Sequence, residues 1–172
     1  ECDRALSIGA DGSATAEALI RFSLLSALST NNEVPEKASK PFSKDRDGFV
    51  LAEGAAMFVV EEESRARARG ASPLARILGW ATTQDAYRAT APRPDGSRAR
   101  AAMERAVRRA KLQPSDIGYI NAHGTSTPKG DEIEAGAVRR LFGATNVSMS
   151  STKSAIGHLL GGAGSVEGIF AI

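Results

Sequence analysis

The chain has one cysteine, Cys2, among its 172 residues. An internal disulfide is therefore excluded, which fits a reducing compartment. No apolar run reaches the about eighteen residues that a membrane-spanning helix needs. The opening stretch, "ECDRALSIGADGS", lacks the basic and apolar regions of a signal peptide. Charge of one sign is also missing. The 22 Lys and Arg against 20 Asp and Glu leave a net charge of +2, too little to argue for nucleic acid. The expected setting is cytoplasmic, with neither membrane nor nucleic acid as partner. Histidine occurs only twice, at His123 and His158.

What is present is ordinary for a globular protein: 42% apolar and 24% charged residues, in a length that supports one domain with a real core. The two ends are less ordinary. "DRALSIGAD" reads as a buried strand that begins at once, and "GSVEGIFAI" as a helix that stops within an apolar face. Domains usually end in exposed polar segments, so the chain is expected to be part of a longer one.

Periodicity divides the chain into elements. Residues 4–10 predict a buried strand. Residues 15–29 predict a helix with Ala18, Leu19, Phe22, Leu25 and Leu28 on one face. Residues 30–49, with Pro35 and Pro41, predict a loop. Residues 55–63 predict a second strand, 64–70 a short basic helix and 73–85 a third strand. Residues 97–112 predict a helix with Ser97 as N-cap and Ala102, Ala106, Val107 and Ala110 inward. Its arginines read as a solvated face. Then come a strand over 116–124, a helix over 129–143 closed by Gly143, a strand over 146–154 and a helix from 161.

This alternation predicts right-handed crossovers and a parallel or mixed sheet with helices on its faces. Ligand sites in such sheets collect beyond the C-terminal ends of the strands. Both histidines fall after predicted strands, which would place them at one edge of one sheet.

The settings of the two histidines are alike. His123 stands in "INAHGTSTPKGDEIEAG", and His158 follows Lys153 in "SSTKSAIGHLLGGAG". A lone histidine at a strand end is more often structural. Two, with a lysine and repeated hydroxyls, point instead to polarising a thioester carbonyl or holding an enolate. Asp131, Glu132 and Glu134 supply carboxylates that could pair with the lysine. Metal binding is the weaker reading, because HExxH, CxxC and a His pair at helical spacing are all missing. "GHLLGGAG" matches neither phosphate-loop template, and "HGTSTP" is not a nucleophile elbow.

These segments carry a resemblance. "NAHGTSTPKGDEIEA" and "SSTKSAIGHLLGGAGSVEGI" closely resemble two signature segments of the β-ketoacyl-[acyl-carrier-protein] synthases, the condensing enzymes of fatty acid and polyketide synthesis. "ALSTNN", "SKPFSKDRDGFVLAEGAAMFVVEE" and "DAYRATAP" resemble further segments of that family in the same order. The resemblance covers essentially the whole chain and is closest to the elongation type of bacterial fatty acid synthesis. It implies a thiolase-like α/β fold of layered mixed sheets and helices, built as two similar halves. The chain would be part of one such domain, holding the end of the first half and the start of the second, with the junction near residues 64–74.

The family's nucleophile is a cysteine at a helix N-terminus, in a segment upstream of the strand that "DRALSIGA" resembles. That segment is absent here, and Cys2 is not its counterpart. The resemblance matches His123 and His158 to the two active-site histidines, Lys153 to the supporting lysine and Glu134 to the supporting glutamate. Thr125 and Thr127 match threonines that bind the pantetheine arm, and Phe22 a residue of the acyl pocket. Asn121 and Glu167 match positions near a structural monovalent cation in some members. Arg88 departs from close relatives, which often carry histidine in "DAYHMT".

The implied activity is an acyltransferase reaction: decarboxylative Claisen condensation of malonyl-carrier protein with an enzyme-bound acyl group. Acyl carrier protein is the implied partner, in a homodimeric parent. No soluble cofactor is expected, because the carrier's phosphopantetheine supplies the thioester. Two alternatives share these motifs: a polyketide ketosynthase and a catalytically dead chain-length partner subunit. The isolated chain is expected to be inactive.

Overall fold

The computed structural model describes residues 2–88, 90–143 and 145–172. Its first sheet is a two-stranded antiparallel ladder. Strand β1 (Arg4–Asp11) pairs with β2 (Gly54–Glu61) in a register running from Arg4 opposite Glu61 to Asp11 opposite Gly54. In β2 the residues alternate between half-buried and exposed, the period-2 pattern of a sheet with one covered face. The cover is helix α6 (Ala163–Phe170), where Gly168 lets the Phe58 ring approach closely. β1 was expected to be buried, but it is exposed along most of its length, with Leu6 at 59% and Ile8 at 64%. Within this chain α6 covers only part of the ladder, at Gly9, so the apolar run is a strand whose other face is left uncovered.

Helix α1 (Ala16–Leu24) is capped by Thr15, whose Oγ1 accepts from Ala18 N. It stops at Leu24, and Ser26 adopts a positive φ. The expected inner face is only partly covered: Ala18, Phe22 and Leu28 are half-buried, while Leu19 and Leu25 are exposed. Past the helix, Leu28 forms an isolated parallel bridge with Phe49.

After the short helix α2 (Glu63–Ala68), residues 73–85 form no strand. A strand exists only where a ladder partner exists, and among the described residues none pairs with this segment. It runs instead beside α3 (Ser97–Arg109). There Arg109 donates to the Trp80 carbonyl at 2.8 Å, and Thr83 Oγ1 donates to the Arg98 carbonyl at 2.7 Å. The N-cap of α3 is Gly96, not Ser97. Ser97 is the first helical residue, and Asp95 Oδ1 accepts its N–H. Ala102, Ala106, Val107 and Ala110 are half-buried, as the inner face requires.

The second sheet is the parallel pair β3 (Tyr119–Asn121) and β4 (Ser148–Ser150), joined through α4 (Pro128–Phe142). Pro128 opens α4 at its first position. Asp131, Val138 and Phe142 are buried along the helix. An unforeseen short helix, α5 (Lys153–Ile156), follows β4.

β3 and β4 are parallel neighbours in the second sheet, so the loops that carry the two histidines leave the same edge of that sheet. His123 follows β3 directly. His158 lies beyond α5 and is held by an isolated parallel bridge to Leu51. The largest fully buried side chains are Lys153, Asp131 and Ser126, all polar. The best-shielded part of the chain is therefore the set of loops after β3 and β4.

Candidate active site

The loop after β3 is fastened through the backbone of residues 122–124. Ala122 N donates to Ser150 O at 2.8 Å, which extends the parallel pairing by one residue. The Glu134 carboxylate, from α4, accepts His123 N at 2.7 Å through Oε1 and Gly124 N at 2.8 Å through Oε2. Ser151 Oγ donates to Gly124 O at 2.7 Å. Gly124 has φ +32, and a Cβ there would lie 2.6 Å from Ser151 Cβ and 2.8 Å from the Phe42 ring. Only glycine fits this position without displacement.

One turn further on, Asp131 joins two strained loops. Its Oδ1 accepts Ser126 N at 3.2 Å and its Oδ2 accepts Phe42 N at 2.8 Å. Both Ser126 and Phe42 have positive φ, a costly conformation for residues with a Cβ. Arg46 pairs with Asp131 at 3.4 Å and donates to Thr127 O and Pro128 O. This buried carboxylate and its arginine fasten the 39–48 loop to the start of α4. The sequence offered Asp131 only as a partner for Lys153, and nothing in its spacing marked Arg46.

Lys153 is 1% exposed. Its Nζ donates to Glu167 Oε1 at 2.6 Å and to the His123 carbonyl at 2.7 Å. The carboxylates of α4 were expected to pair with this lysine, and they do not. Lys153 opens α5 and faces α6, whose Glu167 reaches it, while Glu134 is already turned to the amides of residues 123 and 124. Lys153 and Glu134 thus hold His123 from opposite sides of its own backbone, one at the carbonyl and one at the N–H.

His158 donates its N–H to Val50 O at 2.7 Å, and its carbonyl accepts from Ala52 N at 3.1 Å. Its Nδ1 accepts the Leu160 N–H at 3.3 Å. A ring nitrogen that accepts has no proton, so neutral His158 carries its proton on Nε2. The rings of His123 and His158 meet edge to face with centroids 5.4 Å apart. Phe49 packs edge-on against His158 at 5.3 Å, and Phe22 against Phe49 at 5.3 Å. Phe22 therefore reaches the histidines through Phe49.

Both imidazoles are held below their ordinary pKa. Burial lowers His158 to about 4, helped by His123 and Lys153 and opposed by Asp11. His123 is lowered first by the protein crowding it, then by the Lys153 charge, against Glu134, Glu167 and Asp131. At neutral pH the pair is uncharged, and His158 offers an N–H donor at Nε2.

The remaining sequence candidates fall around this pair. Thr125 is buried, and its Oγ1 lies 2.9 Å from Thr127 Oγ1. Cys2 is exposed beyond the far end of β1 from Asp11. Among the described residues no three His, Cys, Asp or Glu side chains cluster to hold a metal, and no helix is long and apolar enough to cross a membrane.

The cation that the resemblance implies near Asn121 and Glu167 can be weighed against the donors present. Asn121 Oδ1 is a buried oxygen without a partner, and it suits a hard cation. The Glu167 carboxylate is occupied by Lys153, whose charge opposes a second cation there. The pair fits a cation through Asn121 alone.

Residues 1–66 match the family profile described as "Beta-ketoacyl synthase, N-terminal domain", and residues 74–172 match "Beta-ketoacyl synthase, C-terminal domain". The chain belongs to the β-ketoacyl synthase family. A curated relative, 3-oxoacyl-[acyl-carrier-protein] synthase 2 of Rhizobium meliloti (strain 1021), is 56% identical over 155 residues, covering 88% of this chain and 37% of the relative. Among solved structures, a β-ketoacyl synthase from Burkholderia phymatum STM815 superimposes with a TM-score of 0.92 at 40% identity, covering 98% of this chain and 40% of that one. A type II polyketide synthase acyl-carrier protein in complex with its ketosynthase bound to the hexaketide superimposes with a TM-score of 0.94 at 33% identity, covering 99% and 42%. The thiolase-like fold of these synthases is the fold of this chain, which spans about two fifths of the length of the curated relatives it matches.

Proposed function

We propose that this chain supplies the histidine half of a condensing enzyme that elongates acyl chains in fatty acid synthesis. The observation that carries the reading is the meeting of His123 and His158, both neutral, with His158 fixed as an Nε2–H donor. In the proposed reaction, malonyl-carrier protein loses carbon dioxide, and the electron pair of the broken C–C bond becomes an enolate. The enolate carbon attacks the carbonyl of an acyl group held on a cysteine that lies outside this chain. A new C–C bond forms, the C–S bond breaks, and the cysteine leaves as thiolate.

His123 and His158 donate to the oxygen on which charge grows, where fixed donors do most for the rate. Glu134 and Lys153 keep His123 in place through its backbone. Thr125 and Thr127 offer hydroxyls to the pantetheine arm, and Phe22 shapes the acyl pocket through Phe49. The thioester arrives on the carrier's phosphopantetheine, so the reaction needs no soluble cofactor. Acyl carrier protein is the partner, and the parent acts in the cytoplasm as a homodimer.

The stronger likeness to the synthase 2 relatives, at 46% to 56% identity, favours fatty acid over polyketide synthesis. The intact His123, Lys153 and His158 favour an enzyme over a dead partner subunit. The test is turnover by the full-length protein. With acyl- and malonyl-carrier protein it should release carbon dioxide and form β-ketoacyl-carrier protein, and absence of both products sinks the reading.

A further inference from the structure

We propose that Asp11, at the end of β1, is a positioning residue that holds His158 in its donor tautomer by clamping the turn at Leu160. This inference rests on the role given to His158 above. Asp11 lies 147 positions before His158 (158 less 11) and belongs to no motif that the sequence singles out.

The geometry has two parts. One oxygen of Asp11 is locked locally: Oδ1 accepts Ser13 N at 3.0 Å and the Ser13 hydroxyl. This turn within the chain leaves the side chain little freedom. The other oxygen, Oδ2, accepts Gly161 N at 3.1 Å across 150 residues of sequence. The Leu160 N–H, in the preceding peptide, points at His158 Nδ1.

Leu160 itself has φ +42, a conformation that is costly for a residue with a Cβ. Such strain persists only where surrounding contacts over-determine it. Here the two peptide planes that flank Leu160 are each tied to one side chain. His158 Nδ1 takes the N–H on one side, and Asp11 Oδ2 takes the N–H on the other. Between them they set φ and ψ of the strained residue. The turn also sits hard on the end of the ladder, since a Cβ at Gly162 would lie 2.6 Å from Gly54 O. It is closed by its own backbone as well, with Gly162 N donating to Leu159 O at 2.8 Å and Ala163 N donating to Leu160 O, and the Asp11 bond adds to these restraints.

Without the Asp11 carboxylate, Leu160 can relax toward negative φ and swing its N–H off the imidazole. Nδ1 then loses the donor that keeps it unprotonated, and the ring proton is free to occupy either nitrogen. A ring with its proton on Nδ1 presents a lone pair, not a donor, to the reacting oxygen. The charged groups facing His158 are Lys153 and Asp11, with His123 as the neighbouring imidazole. Asp11 is thus the one anion among them. Its own pKa is lowered, first by the Ser13 hydroxyl and then by Gly161 N–H, so it is ionised at neutral pH.

The test uses the full-length protein with 15N-labelled histidine, as wild type and as Asp11→Asn. Asn keeps the shape but has one acceptor oxygen where two are used. Expected in the wild type is a single His158 tautomer with Nδ1 unprotonated. Expected in Asp11→Asn are mixed His158 ring signals, an unchanged His123, and a kcat for malonyl-carrier decarboxylation lower by about tenfold at unchanged KM. Identical His158 ring signals in the two proteins overturn the proposal.

Should Asp11→Asn not fold, hydrogen exchange in the wild type decides. The Leu160 and Gly161 amides should be protected together, and exchange at open-loop rates overturns the clamp. A ring signal that moves in a protein with no condensing activity would sink the functional reading and leave the clamp standing. An active protein whose ring signals do not move does the reverse.

Discussion

Lys153 and Glu167 form an ion pair of 2.6 Å whose lysine is 1% and whose glutamate is 12% exposed. The same ammonium reaches the carbonyl of His123 at 2.7 Å. A charge so shielded is tolerated because both bonds are short and the partner is an anion. The pair ties α6 to the start of α5 and, through the backbone, to the loop that carries His123. Removing one partner leaves the other buried and uncompensated. Glu167→Gln and Lys153→Met should each lower the stability of the full-length protein by about 3–5 kcal/mol in chemical denaturation. The double change to Met and Leu should cost less than the sum of the two. Additive losses would show that the two side chains do not act as a pair.

The depressed pKa of His158 has a sign that can be checked. Its folded value is about 4, against an ordinary 6.5. Between these values the unfolded chain binds the proton and the folded chain does not, so stability rises with pH. The contribution of His158 should be complete above pH 6.5 and disappear as pH falls toward 4. Denaturation across this range should show a steeper acid loss for wild type than for His158→Gln. Equal slopes would mean that the folded imidazole titrates near its free value.

His123→Ala should separate the half-reactions of the proposed enzyme. Charge on the malonyl thioester oxygen grows only during decarboxylation, so a donor there matters most in that transition state. Its loss should cost about 3–4 kcal/mol, or roughly a hundredfold or more in carbon dioxide release. Acylation of the nucleophile depends on a thiolate elsewhere and should be largely kept. Mass spectrometry of the acyl-enzyme beside carbon dioxide release makes the comparison. Lost acylation with intact decarboxylation would reverse the role given to His123.

Gly124→Ala tests the packing of the histidine loop. The added methyl would press on Ser151 Cβ and the Phe42 ring, at a φ of +32. Overpacking of this kind costs about 1–3 kcal/mol. The displaced loop carries His123, so activity should fall along with Tm. Gly164→Ala in α6 is the counterpart, because nothing lies within 4 Å of its new Cβ. It should be neutral or stabilising by up to about 1 kcal/mol through helix propensity. A Gly124→Ala protein as stable and active as wild type would mean that the loop has more room than these contacts allow.

Much of the local structure is legible in the residues themselves. β2 alternates because one face meets α6. α3 and α4 follow helical spacing, and α4 begins at Pro128, where a missing N–H costs nothing. The histidine settings also single out a candidate site, because a histidine, a lysine and hydroxyls recur in two segments that resemble one family. These are properties of neighbours in sequence, and periodicity and composition carry them.

What only the tertiary structure decides are the partnerships between distant residues. Lys153 pairs with Glu167 of α6 and not with the carboxylates of α4, because Glu134 faces the loop amides and Asp131 faces Arg46. Residues 73–85 have the composition of a strand, yet a strand is a relation between two segments, and among the described residues this one has no ladder partner. β1 is a strand whose burial within this chain is set by how far α6 reaches along it, not by how apolar it is. His158 meets His123 through a bridge to Leu51 and a turn clamped by Asp11, contacts separated by more than a hundred residues. Local pattern names the groups that can act. Which of them touch is set by the three-dimensional path of the backbone between them.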